Sequence, residues 1–266
     1  MNVLLVGCGE MAVHHHKVLV ALNATPIVIG RSAASAEKFA SETGSAVASR
    51  DLSEYLKANV APTHAIVSVS VENLADVTVA LLEAGVRHVL LEKPGALRFA
   101  DLNRVATVSR AKGARVMVAY NRRFYTSVVM AKHLIWKDGG VTSCHFDFTE
   151  WSHQIAALGR SAEQKSRWLI ANSSHVIDLV LHVIGAPAEM TTATAGKLAW
   201  HPASAVFTGS GRGKSGALFS YHADWTGPGR WSCEFVTPNH KLVFMPMEEL
   251  RVMVRGSVAV NKVDAT

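Results

Sequence analysis

Over its first 120 residues the chain repeats one pattern: a short apolar run, then a stretch of helical period, then a breaker. Apolar runs bounded by turn signals are buried strands, and strands that alternate with helices can pair only through crossovers, giving a parallel sheet covered on both faces. Val3 to Val6 leads into a helix over Met11 to Leu22, and Pro26 to Ile29 into one over Ala34 to Thr43 that stops at Gly44. Ala46-Val47-Ala48 is a weaker strand, followed by Asp51-Leu52-Ser53-Glu54, whose acids have capping-box spacing for the next helix. Ala65 to Val71, Val89 to Leu91 and Val116 to Tyr120 complete six predicted strands. The helices between them carry Leu74, Val77, Leu81 and Leu82, then Leu102, Val105 and Ala106, on one face, and end at Gly85 and Gly113. The fold class this predicts is α/β, a doubly wound sheet over residues 1–120.

Such a sheet binds ligands outside the carboxyl ends of its strands, so the residues just past each strand carry the functional information. The first strand ends in Gly7-Cys8-Gly9-Glu10-Met11-Ala12, a G-x-G-x-x-A turn opening a helix. Gly7 permits the tight turn, Gly9 lets the backbone approach a pyrophosphate, and Ala12 is small enough for helix and sheet to close. The free amides of Glu10, Met11 and Ala12 would face the phosphates. An acid at the end of the second strand would bind the ribose hydroxyls of NAD; the sequence instead offers Gly30-Arg31-Ser32, and Arg31 and Ser32 suit a 2′-phosphate, which points to NADP(H) in preference to NAD(H). Ser32 could equally serve only to cap the next helix. Ser68 and Ser70 close the fourth predicted strand as further cofactor contacts. Past Leu91 come Glu92-Lys93-Pro94-Gly95, which put a cation and a rigid turn at the same edge; the bland reading of Glu92 and Lys93 is a solvated surface pair.

The second half reads differently. A helix from Val128 to Trp136 is broken by Asp138-Gly139-Gly140, and Val141 to Thr149 alternates as a strand. β-like segments follow at Met190 to Ala195, Ala205 to Thr208, Ala217 to Ala223, Trp231 to Thr237 and Lys241 to Phe244, joined by Gly-, Ser- and Pro-rich turns without helical pattern, which predicts an antiparallel sheet. Trp151, His153, Trp200, His201, Tyr221, His222, Trp225 and Trp231 would suit sugar binding, although aromatics on sheets more often pack. Gly209 to Ser215 imitates a phosphate-binding P-loop, but Thr208 stands where the first glycine is required and a strand follows, so it reads as a hairpin turn. Within this region Asn172 to Ile184 is an apolar helix whose His175, Asp178 and His182 share one face. His182 reads as a satisfied core histidine, and no further ligand suggests a metal.

A net charge of +6 is spread over both halves without a basic block, which argues against nucleic acid and for anionic small ligands. Three separated cysteines, the absence of a long apolar run and a start without a basic leader predict a reduced, cytoplasmic protein away from membranes.

Gly7-x-Gly9-x-x-Ala12-x-x-His15, Glu92-Lys93-Pro94, Tyr120-Asn121-Arg122-Arg123-Phe124 and His175-x-x-Asp178-Leu179, in that order and spacing, resemble the Gfo/Idh/MocA oxidoreductases, including members of polysaccharide and nucleotide-sugar biosynthesis. The resemblance implies an N-terminal Rossmann domain over 1–120 and a C-terminal α+β domain over 121–266 with an open-faced, mainly antiparallel sheet, through which homodimers or homotetramers form. It implies NAD(P)-dependent hydride transfer on a sugar, cyclitol or nucleotide-sugar. Lys93 and His175 are then the catalytic pair, Lys93 often across a cis peptide, with Asn121, Arg123 and Asn172 as further substrate contacts. Two departures stand out. Many members carry an aspartate four residues before the histidine, where this chain has Ala171, and the second domain is short for the family. The alternative they imply is a non-catalytic NAD(P)-sensing or interaction protein on the same fold.

Overall fold

The computed structural model describes residues 1–264 and divides into two compact units, Met1–Ala119 and the chain from Tyr120 onward. In the first, β1 (Asn2–Val6), α1 (Glu10–Ala21), β2 (Thr25–Ile29), α2 (Ala33–Thr43), α3 (Leu52–Ala58), β3 (His64–Val67), α4 (Leu74–Glu83), β4 (His88–Leu91), α5 (Phe99–Ala111) and β5 (Arg115–Val118) follow one another. The strands pair parallel in the order β2-β1-β3-β4-β5. Alternate residues of β1 serve opposite faces: Leu4 and Val6 join Leu74, Leu81 and Val105, while Val3 and Leu5 join Val13, Leu19 and Phe39. Leu4, Leu5, Leu81, Leu82 and Leu91 are completely buried, each contributing about 1.5–3 kcal/mol of transfer free energy.

The sheet has five full strands, not six. The predicted strand at Ala46 to Ala48 only brushes β2, through an Ile29–Ser49 bridge and the backbone bonds Ala48 N to Val28 O and Gly30 N to Ser49 O. Its alanines and serines supply little of the branched surface that holds an edge strand to its neighbour. The reversal of strand order falls between β1 and β3, so Gly7, Ser68 and Glu92-Lys93 lie past the ends of three adjacent strands.

The second unit contains α6 (Thr126–Lys137), β6 (Ser143–Asp147), α7 (Ser152–Ala157), α8 (Ala162–Ser166), α9 (Ser174–Ile184), β7 (Pro187–Ala195), β8 (Val206–Gly213), β9 (Leu218–Asp224), β10 (Ser232–Val236), β11 (His240–Phe244), β12 (Arg251–Val254) and β13 (Val260–Lys262). Eight strands form one sheet, β13-β12-β11-β10-β6-β9-β8-β7, antiparallel except at the parallel β6–β9 pair. Val176, Leu179, Val180 and Ile184 make the apolar stripe of α9 and share one core with Phe146, Phe219, Phe235 and Phe244 of the sheet.

The short elements escaped the sequence pattern: α7 and α8 span less than two turns, and β12 and β13 are four and three residues long. The helix expected from Asn172 begins at Ser174, because Leu169–Ser173 form a π-helical turn. The supposed hairpin turn at Gly209 to Ser215 is mostly strand, and the chain reverses at Lys214 to Gly216. Glycine is needed there for packing: a Cβ on Gly209 would lie 2.5 Å from the Tyr221 ring, and one on Gly211 2.2 Å from the Glu189 carbonyl.

Candidate active site

The turn between β1 and α1 is built from backbone. Gly7 has φ +124°, and a Cβ on it would lie 2.0 Å from the carbonyl oxygen of Ser68, so the chain passes this close only as glycine. Gly9 is the N-cap of α1 with ordinary φ and open space where its Cβ would be, and no side chain caps the helix. Ala12 is fully buried beneath it, while Glu10 and Met11 are exposed in the first turn. Uncapped first-turn amides, an open approach over Gly9 and the positive end of a helix dipole fit a dinucleotide pyrophosphate.

Past β2, Arg31 is exposed, and Ser32 is the N-cap of α2, its Oγ accepting from Ser35 N at 3.4 Å. Past β3, Ser68 is buried against Gly7, whereas Ser70 is exposed and its Oγ accepts from Asn73 Nδ2 at 2.6 Å. Past β4, Glu92 and Lys93 are both partly buried, which overturns the solvated-pair reading. Glu92 meets His15 Nε2 at 2.7 Å, and its other oxygen accepts from the Lys93 amide at 3.2 Å. The Lys93–Pro94 peptide is cis. The His15–Glu92 contact ties the helix of the glycine turn to the Glu-Lys-Pro corner. The sequence holds both residues within the motifs but gives no sign that they touch.

In the second unit His175 stands in the first turn of α9. The Tyr120 ring meets its imidazole edge-on at 5.9 Å, and the Trp231 ring lies 6.1 Å away. Burial pushes the Tyr120 phenol above its usual range. Arg123 forms a two-pronged ion pair with Asp178, with Nε 2.7 Å from Oδ2, so these two motif residues clamp the Asn121–Phe124 turn to α9. Asn121 is exposed in that turn. Asn172 gives its amide Nδ2 to Glu150 at 3.0 Å, and Ser173 Oγ donates to the same carboxylate at 2.8 Å. Glu150 is 2% exposed, and desolvation holds it above the ordinary carboxylate range against the pull of Ser173 and Asn172. Neither Glu150 nor its partner Arg230 carries a motif signal; only the fold brings them to the turn before α9. Ala171, in the place of the family aspartate, is buried at 5% exposure.

His182 is not the core residue expected. It lies exposed in the last turn of α9, 3.1 Å from Lys132 Nζ, and partial desolvation and that ammonium lower its pKa. Among the described residues no three His, Cys, Asp or Glu side chains form a metal-ligating group. Most of the aromatic set packs: Trp200 stacks on Trp225 at 5.7 Å, and Trp225 in turn meets His201 and Phe207 at 4.8 Å.

Glycine turn, uncapped helix and switch point together fit a dinucleotide-binding domain. Residues 1–120 match the family model of Gfo/Idh/MocA oxidoreductases, NAD-binding Rossmann fold. No curated protein matches the sequence. Among solved structures the chain resembles an oxidoreductase from Agrobacterium radiobacter in complex with NAD+, L-tartaric acid and magnesium, at 14% identity and TM-score 0.79, covering 100% of this chain and 80% of that one. It also resembles the WlbA dehydrogenase from Bordetella pertussis in complex with NADH and UDP-GlcNAcA, at 18% identity and TM-score 0.76, covering 91% and 77%. A third is UDP-N-acetylglucosamine 3-dehydrogenase GnnA from Acidithiobacillus ferrooxidans, at 15% identity and TM-score 0.77, covering 99% and 82%. At these identities the likeness is one of fold. No helix among the described residues is long and apolar enough to cross a membrane.

Proposed function

We propose that this protein is an NADP-dependent oxidoreductase that moves a hydride between the nicotinamide and a carbinol or keto carbon of a sugar, cyclitol or nucleotide-sugar. The observation that carries the reading is the glycine turn, with Gly7 packed against Ser68 and the first-turn amides of α1 left uncapped. Arg31, exposed just past Gly30 where the sequence places no acid at the end of the strand, supports a 2′-phosphate over free ribose hydroxyls. A nicotinamide bound in this domain supplies a hydride acceptor or donor at C4. The substrate hydroxyl must lose its proton as the hydride leaves, and His175 serves as the base. Lys93 orients the hydroxyl and steadies its developing negative charge. Tyr120 and Trp231, packed about His175, hold its ring in place and limit water.

Parallel titration with NADPH and NADH, followed by tryptophan quenching, tests the cofactor. NADPH should bind at least tenfold tighter, with the preference lost in Arg31→Asp. Lys93→Met should bind cofactor normally but lose turnover by about two orders of magnitude or more, the scale of an oriented charge at a reacting oxygen. Failure of both dinucleotides to bind leaves the interaction-protein alternative on the same fold, which the buried Ala171 favours.

The second sheet also supports the proposed homodimer or homotetramer. Cys144, Phe146, Cys233 and Phe235 point into the core, while their alternate neighbours Ser143, His145, Glu234 and Val236 line a depression of about 650 Å³. Sedimentation of the full chain, with Val236→Arg as the disrupting variant, reads this directly.

A further inference from the structure

One cationic group, set against the Trp231 indole that neighbours His175, is built as a receptor. Arg230 precedes β10, and its guanidinium carbon lies 4.9 Å from the Trp151 ring and 4.5 Å from the Trp231 ring. Nη1 donates to Glu150 Oε2 at 3.1 Å. The other oxygen of that carboxylate is held by Asn172 and Ser173, so Arg230 is anchored to the π-helical turn before α9. Its side chain is nevertheless 44% exposed. Among the described residues Nε and Nη2 have no hydrogen-bond acceptor. Trp231 links this group to the proposed chemistry: its ring stands 6.1 Å from the His175 imidazole and 5.3 Å from the guanidinium of Arg122.

A surface arginine normally keeps its rotamer freedom, and a structural one exhausts its donors on protein acceptors. Arg230 does neither. Two indoles and a buried carboxylate fix the guanidinium plane, which removes most of the ordering cost of binding, and the unused donors form a planar fork that matches a carboxylate or phosphate. A neutral sugar face would need no such group.

We propose that Arg230 receives an anionic oxygen group of the substrate, a carboxylate or a phosphate, so that the protein selects charged over neutral sugars. The inference deepens the sugar-oxidoreductase reading and rests on it for the word substrate. The test titrates the full chain with glucose, glucuronate and UDP-glucose, read by tryptophan fluorescence and calorimetry. At least one charged sugar should bind tenfold or more tighter than glucose; glucuronate identifies a carboxylate and UDP-glucose a diphosphate. Arg230→Gln should remove that preference, and Arg230→Lys, which keeps the charge without the fork, should keep part of it. A thermal melt confirms that each variant is folded, and should the Gln variant unfold, the Lys variant alone must show a reduced preference. Equal binding of glucose, no binding of either charged sugar, or an unchanged preference in the folded variants overturns the proposal. A charged-sugar preference without dinucleotide binding would instead sink the oxidoreductase reading and leave this one standing.

Discussion

The glycine turn of the first unit and the Glu150 centre of the second are both polar, and they are held in opposite ways. At the turn, backbone conformation does the work: Gly7 presses on the Ser68 carbonyl, and the amides that matter belong to consecutive residues. At Glu150, side chains from two distant segments, Asn172 and Ser173 on one and Arg230 on the other, converge on one desolvated carboxylate. The first arrangement tolerates no added atom but needs no distant partner. The second tolerates repacking but should lose stability when its carboxylate is removed.

The largest effect should come from Gly7→Ala. The strained φ alone costs about 1–3 kcal/mol, and the clash with Ser68 adds to it, so urea unfolding should show a loss above about 3 kcal/mol together with loss of dinucleotide binding. Glu150→Ala should follow at about 2–4 kcal/mol, below the full value for a buried pair because Arg230 is partly solvated. Glu150→Gln, which keeps acceptor and shape, should recover part of that loss; equal stability of the Ala variant and the parent would show that the network is ornamental.

A third case lies between these two. Asp138, the C-cap of α6, accepts from Thr237 at 2.5 Å, His240 at 2.7 Å and Asn239 at 3.2 Å, pinning the β10–β11 turn to the end of that helix. Those bonds, Thr237 first, pull its pKa down to about 2. A lowered carboxylate pKa stabilises the fold above the unfolded value of about 4, and the contribution is lost as pH falls toward the folded value. Asp138→Asn should therefore melt below the parent at neutral pH, and the two melting curves should converge as pH approaches 2.

The smallest change in stability, within about 0.5 kcal/mol, is expected for Gly9→Ala, since a Cβ there meets nothing within 4 Å and φ is ordinary. Yet NADPH affinity should fall at least tenfold, because the methyl group occupies the approach to the pyrophosphate. A Gly9→Ala variant that binds normally would remove phosphate recognition from this turn.

Much of the first unit was legible because its signals are local. The period of apolar residues marked five strands that form and one, Ala46 to Ala48, that does not, and the glycine motif marked the turn by residue number. In the second unit the same reading found α6, α9 and six strands but missed α7, α8, β12 and β13, which are too short to show a period. It named Asn172, His175 and Arg123 as site residues but gave no sign of the ion pair between Arg123 and Asp178.

By itself the sequence determined the parallel sheet, the glycine turn, and the placing of Lys93 just past a strand and of His175 on an apolar helix, because backbone preference and apolar period act between residues a few places apart. Only the tertiary structure decided that Glu92 meets His15, that Arg123 is spoken for by Asp178, and that Glu150 gathers Asn172, Ser173 and Arg230. Those groups are separated by tens of residues, and no local rule relates them. They find one another because burying a charged or polar group without a partner costs more than the ordering needed to supply one.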